Sequence, residues 1–228
     1  MSDASRSSNS GRSGDPYALG RHGGHAHENR DEATGHGEGG PASKRIITGY
    51  GFWIFLLSDI VMFSGFFATY AVLVGATAGG PGGDTLFDLG RVKVETGCLL
   101  LSSYTCGLGA IAAARGNMLW TQIGLFVTGV LGAIFLSLEI QEFAQMIAEG
   151  AGPQRSGFLS AFFALVGCHG LHIATGLLWL ATMMAQIYVK GLRADVMRRL
   201  MCFNLFWHAL DIIWVALLTI VYLLGQTQ

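Results

Sequence analysis

The sequence predicts an all-α integral membrane protein, a bundle of five transmembrane helices, and three observations predict it. Hydrophobic residues make up 51% of the chain and charged residues only 13%, where a soluble domain carries about 25% charged residues. The apolar residues gather into five runs, at about 47–75, 94–114, 118–146, 156–189 and 199–224. Each reaches the ~20 residues needed to cross ~30 Å of hydrocarbon. Between the runs stand ordinary breakers: Gly79-Gly80-Pro81-Gly82-Gly83, Arg115-Gly116-Asn117, the stretch from Gly150 to Arg155, and a basic linker at 190–199.

Taken in order, residues 1–45 are Gly, Ser, His, Arg and acidic residues with hardly any large apolar side chain. They cannot bury enough surface to offset the entropy of ordering, so a disordered cytoplasmic tail is expected there, ahead of a membrane domain over 46–228. The tail has no apolar core and no small-residue cleavage site, so it does not read as a secretory signal. The third and fourth runs are too long for a perpendicular crossing and are expected to tilt or extend past the bilayer.

Orientation follows from the basic residues on alternate sides. Arg6, Arg12, Arg21, Arg30, Lys44, Arg45, Arg115, Lys190, Arg193, Arg198 and Arg199 fall on one side, and Arg91, Lys93 and Arg155 on the other. That bias predicts a cytoplasmic N-terminus and a periplasmic C-terminus. Glycines recur through the spans, among them Gly107, Gly109, Gly124, Gly129, Gly132, Gly170 and Gly176. In lipid such residues let helix backbones pack closely. No internal repeat suggests a transporter built from inverted halves.

Ionisable groups inside a bilayer are costly, which makes each one a candidate functional residue. They are Asp59 in the first span, Glu95 at the start of the second, Glu139 and Glu142 in the third, His169 and His172 in the fourth, and His208 and Asp211 in the fifth. Three of these sets have i,i+3 spacing, which puts both members on one helix face, expected to point into the bundle. The helical rise places Asp59, His169, His208 and Asp211 near mid-membrane, each roughly 12–20 Å from a helix end. Glu139 falls near the level of His169, so a hydrogen bond between them is expected.

A di-iron bundle site needs Glu-x-x-His on two helices. The pairs here are Glu-x-x-Glu, His-x-x-His and His-x-x-Asp, so the pattern does not fit. Haem ligation by the three histidines and proton conduction stay open, but a structural network of mutually satisfied polar groups is the main expectation. Asp59, in a stretch of Phe, Leu, Ile, Val and Met, reads either as a slow proton relay or as a protonated acid bonded to a neighbouring helix. His22, His25, His27 and His36 in the tail suit only weak, incidental metal binding. Cys98, Cys106, Cys168 and Cys202 have no metal-ligand spacing and read as small buried thiols.

Residues 49–71 (GYGFWIFLLSDIVMFSGFFATYA), 156–179 (SGFLSAFFALVGCHGLHIATGLLW) and 206–214 (FWHALDIIW), with Glu139-x-x-Glu142 between them, resemble subunit III of haem-copper terminal oxidases. The resemblance covers about residues 45–225. Within that family the five-span count, VLVGATAGGPGG at 72–83, GPQRSGFLSAFFALVGCHGLH at 152–172 and MCFNLFWHALD at 201–211 look like the five-helix cytochrome bo-type ubiquinol oxidase branch.

The resemblance implies a subunit of the bacterial inner membrane that packs beside the catalytic subunit I, with subunits II and IV in the same complex. It implies no haem or copper in this chain; those cofactors would sit in subunit I. The complex would oxidise ubiquinol, reduce oxygen to water and pump protons, with this chain supporting assembly and stability. Family members also hold phospholipid in a cleft between helix groups, and no nucleic-acid partner is expected. At Asp59 many members carry a Glu that reacts with carbodiimides, so the shorter Asp weakens any proton-antenna role carried over. The alternatives are subunit III of a cytochrome c oxidase, which differs in electron donor, and an independent ion transporter using the midplane His and Asp residues.

Overall fold

The computed structural model describes residues 44–79 and 89–223. Five helices follow one another: α1 (Lys44–Leu73), α2 (Leu89–Ala114), α3 (Met118–Ala148), α4 (Gly157–Lys190) and α5 (Ala194–Leu217), the last running on into a π-helical turn, Leu218–Leu223. All five are long and apolar enough to cross a membrane. The tail with its four histidines, residues 80–83 of the Gly/Pro loop and the chain after 223 lie outside the described residues.

Two helices begin earlier than their apolar runs. The second starts at Leu89 instead of about 94 and the fifth at Ala194 instead of about 199. In each case charged residues at the membrane edge stay helical because an apolar residue on the inner face still packs. Val92 and Val196 are both fully buried, while Lys93 and Arg199 are exposed.

The turns are set by local chemistry. At the end of α2 the Gly116 amide donates to Ala113 O (2.9 Å) and the Asn117 amide to Ala112 O (3.0 Å). This closing motif needs a left-handed residue, and Gly116 supplies it at φ 75°. Asn117 then caps α3, its side-chain oxygen accepting from the Trp120 amide at 3.4 Å. Two residues therefore end one helix and begin the next, forcing α2 and α3 into an antiparallel pair. Ser156 caps α4 in the same way, accepting from the Leu159 amide at 3.2 Å.

Helices α2 to α5 close into a four-helix bundle in which α2 packs on α3, α3 on α4, α4 on α5, and α5 back on α2. Where α2 crosses α3, a Cβ added to Gly124 would stand 2.9 Å from Gly109 Cα. Only glycine permits that approach. A second small-residue slot holds Trp207 of α5. Cβ atoms on Gly132 (α3) and Gly176 (α4) would each come within 2.9 Å of its ring, and its Nε1 donates to Ser102 Oγ of α2 at 3.0 Å. One indole thus touches all three other helices of the bundle.

α1 stands further out. Only 11% of its most apolar stretch is buried, against 44% for α4 and α5. It is held by large side chains: Phe52 edge-on to Trp179 (5.8 Å), Phe63 against His172 (5.2 Å), and Tyr70 against Phe158 (5.9 Å). The Tyr70 hydroxyl also donates to Val221 O at 3.3 Å. The outer face of α1, with Trp53, Leu57 and Val61, is exposed, as suits lipid or a partner helix.

Candidate functional site: polar groups inside the bundle

The intramembrane polar residues form three separate groups. In the first, His172 Nε2 of α4 lies 3.8 Å from Asp59 Oδ2 of α1, a loose ion-pair distance beyond hydrogen-bond range. His172 Nδ1 sits 2.7 Å from Cys168 O. A carbonyl can only accept, so Nδ1 carries a proton and Nε2 faces the carboxyl. One further proton, on either partner, leaves the pair with no net charge.

The second group joins α2 to α3. Glu95, Glu139 and Glu142 are 0%, 2% and 6% exposed and lie within electrostatic reach of one another. The Glu139 carboxyl extends to α4, where its Oε1 is 2.7 Å from the position a Cβ on Gly170 would take. The oxygens of Glu95 and Glu139 have no hydrogen-bond partner among the described residues. One turn before Glu95, Arg91 Nη2 donates to Gln145 Oε1 at 3.5 Å.

The expected Glu139–His169 hydrogen bond is not formed. His169 is fully buried and neither ring nitrogen has a partner among the described residues. Its ring instead stacks on Trp214 (5.4 Å, 27°) and meets Phe135 edge-on (6.0 Å, 87°). Gly170, one residue on, gives Glu139 its space. Both histidines meet the ring of Phe63 on α1, His169 at 6.3 Å and His172 at 5.2 Å, but beyond it His172 faces Asp59 on α1 and His169 faces Trp214 on α5.

The third group is Ser103 of α2 with His208 and Asp211 of α5. Ser103 Oγ meets His208 Nδ1 and also hydrogen-bonds Asp211. A single hydroxyl proton cannot serve both. With that proton directed to an Asp211 oxygen, Ser103 accepts from His208 Nδ1–H; with it directed to His208, Nδ1 is the acceptor. This group belongs to a ladder of side-chain bonds between the antiparallel α2 and α5: Cys106 Sγ to Asn204 Oδ1 (3.3 Å), Trp207 Nε1 to Ser102 Oγ, and Trp214 Nε1 to Thr96 Oγ1 (3.0 Å). Thr128 of α3 joins it through Ser102 O (3.2 Å).

Reading the sequence for ionisable residues missed the hydroxyl rungs Thr96, Ser102 and Ser103. The signal for them lay in Trp207 and Trp214, whose indole N–H groups need acceptors when buried. Of the four thiols expected to be buried, Cys106 and Cys202 are buried while Cys98 and Cys168 are only half-buried, packed against the edge of the core. Among the described residues no group of three or more His, Cys, Asp or Glu is arranged to hold a metal ion.

A five-helix membrane bundle with a ladder of polar side chains between α2 and α5 is the class defined by this fold and site. The chain belongs to the cytochrome c oxidase subunit III family, which matches residues 27–226. It is similar, at 50% identity over 208 residues, to the protein named cytochrome bo(3) ubiquinol oxidase subunit 3 of Pseudomonas aeruginosa, with 91% of this chain and 97% of the relative covered. The protein of the same name from Pseudomonas putida is 51% identical over 179 residues (78% and 86% covered). Quinol oxidase subunit 3 of Bacillus subtilis is 41% identical over 175 residues (77% and 86% covered).

Proposed function

We propose that this chain is the non-catalytic subunit III of a proton-pumping haem-copper ubiquinol oxidase, where it supports the assembly and stability of the catalytic subunit I. The observation that carries this reading is the 50% identity to a ubiquinol oxidase subunit 3 over 97% of that relative. A supporting role accords with how the buried polar side chains are spent: the rungs Cys106–Asn204, Ser102–Trp207 and Thr96–Trp214 hold helices together.

In this reading the chain lies in the bacterial inner membrane beside subunit I, with subunits II and IV in the same complex. The haems and copper reside in subunit I and ubiquinol is the donor. The basic residues favour a cytoplasmic N-terminus and tail and a periplasmic C-terminus. The membrane domain over 46–228 makes the subunit contacts, and the exposed apolar face of α1 is available to lipid.

The test is purification of the tagged chain in mild detergent, a reduced-minus-oxidised haem spectrum, and oxygen uptake with ubiquinol and with reduced cytochrome c. Haem carried by larger co-purifying chains, with uptake driven by ubiquinol, is the expected result. Uptake driven by reduced cytochrome c instead would move the chain to the cytochrome c oxidase branch. A chain that emerges alone and haem-free would refute the oxidase assignment.

A further inference from the structure

The carboxyl group of Glu95, Glu139 and Glu142 has no part in the helix-to-helix ladder. Because it is enclosed by this chain's own helices, it stays enclosed whatever packs outside. Glu95 and Glu139 are at most 2% exposed, and their four carboxyl oxygens lack a hydrogen-bond partner among the described residues. The Glu139 carboxyl is pressed into the notch at Gly170 that a Cβ would fill.

The titratable groups around it come from every packed element. They are Arg91 and Cys98 on α2, His169 on α4 beside that notch, Tyr222 on the π-helical turn, and Tyr70 on α1 behind Tyr222. Arg91 is the one fixed cation among them. A single guanidinium at the end of the bundle cannot balance three carboxylates in a low-dielectric interior. The carboxyls do not converge as metal ligands, so protons are the compensating charge, and buried water is what usually fills the hydrogen bonds that such groups lack.

We propose that Glu95, Glu139 and Glu142 form a proton-holding site. Joined through internal water, the carboxyls keep enough protons to leave one negative charge against Arg91, and exchange them with the aqueous phase at the end of the bundle marked by Arg91 and Gln145. The route climbs a helical turn at a time: Glu139 to Glu142 on α3, across to Glu95 on α2, then Arg91 with the exposed Gln145. Each proton comes from water, forms one O–H bond on a carboxylate oxygen, and returns to water by breaking it; no other bond changes.

The experiment is infrared difference spectroscopy on the full-length chain in mild detergent, comparing wild type with Glu139→Gln and, separately, with Glu95→Gln. The expected result is loss, at neutral pH, of a protonated-carboxyl C=O band that shifts in D₂O. The two substitutions lie on different helices, and a jump of the wild-type protein from about pH 6 to about pH 10 needs no variant at all. There the same band should give way to carboxylate bands only at the alkaline end. Difference spectra showing only carboxylate bands at neutral pH would overturn the site, and a band insensitive to D₂O would overturn its exchange with the aqueous phase. The readout concerns this chain's carboxyls and does not depend on the oxidase assignment.

Discussion

Gly132→Ala should destabilise the bundle more than any ordinary added methyl. The new Cβ would stand 2.9 Å from Trp207 Cη2, 3.0 Å from Cζ2 and 3.2 Å from Leu177 Cδ2, where carbon atoms prefer about 3.5–4.0 Å. The indole has no room to retreat. Its far edge already lies 2.9 Å from where a Cβ on Gly176 would sit, and its Nε1 is tied to Ser102 Oγ. Either α3 moves outward or the indole gives up its hydrogen bond. Overpacking of this kind costs about 1–3 kcal/mol, and the hydrogen bond adds about 1 kcal/mol if it breaks. A loss of about 2.5 kcal/mol lowers Tm by roughly 5–10 °C in a chain of this size. Thermal unfolding of the purified chain in mild detergent, followed by tryptophan fluorescence, measures it. Gly65→Ala, with nothing within 4 Å, is the control and should melt like wild type. Phe at 207 lacks the outer indole ring, so Gly132→Ala combined with Trp207→Phe should cost less than the sum of the two. Strict additivity, or a Gly132→Ala melt indistinguishable from wild type, would refute the slot as the cause.

Trp214→Phe removes the Nε1–H bond to Thr96 Oγ1 and part of the surface under His169, and should cost about 1–3 kcal/mol in the same melt; adding Thr96→Val should cost little more. Asn117→Ala removes a long cap of 3.4 Å and should cost only about 0.5–1 kcal/mol, with faster hydrogen exchange at the Trp120 amide and none at mid-helix. His208→Ala leaves Ser103 without its imidazole partner, a cost of about 1–3 kcal/mol. In the assembled complex this should appear as lower yield with unchanged turnover per haem, and normal yield with collapsed turnover would contradict the supporting role.

The five helices were legible because each apolar run is long and ends at a residue with a physical reason to break it. Gly116 and Asn117 are the clearest case, since they read as a turn and act as one. The helix starts at Leu89 and Ala194 were not legible, because Arg91 and Lys93 read as loop by charge although Val92 still packs inside. The candidate site was half legible. Spacing of i,i+3 shows which residues share a face, but not how far each helix is rotated against its neighbours. A shift of one residue turns a helix face by about 100°, and that is the difference between Glu139 meeting His169 and meeting Gly170. Hydroxyl rungs were harder still, because most Ser and Thr side chains in these spans bond their own helix, as Thr69 does to Gly65 O and Thr175 to Leu171 O. Nothing in their type marks Ser102, Ser103 and Thr96 as the ones that reach across.

The ladder between α2 and α5 has a consequence for biogenesis. α2 leaves the ribosome early, carrying Thr96, Ser102, Ser103 and Cys106, while Asn204, Trp207, His208 and Trp214 arrive only with α5. Through the synthesis of α3 and α4 the early half of the ladder waits in the membrane without its other half. The growing chain therefore needs shelter at the insertion machinery until its last span emerges. Truncation before residue 194 should release a product that quality-control proteases clear, although four of the five spans are present.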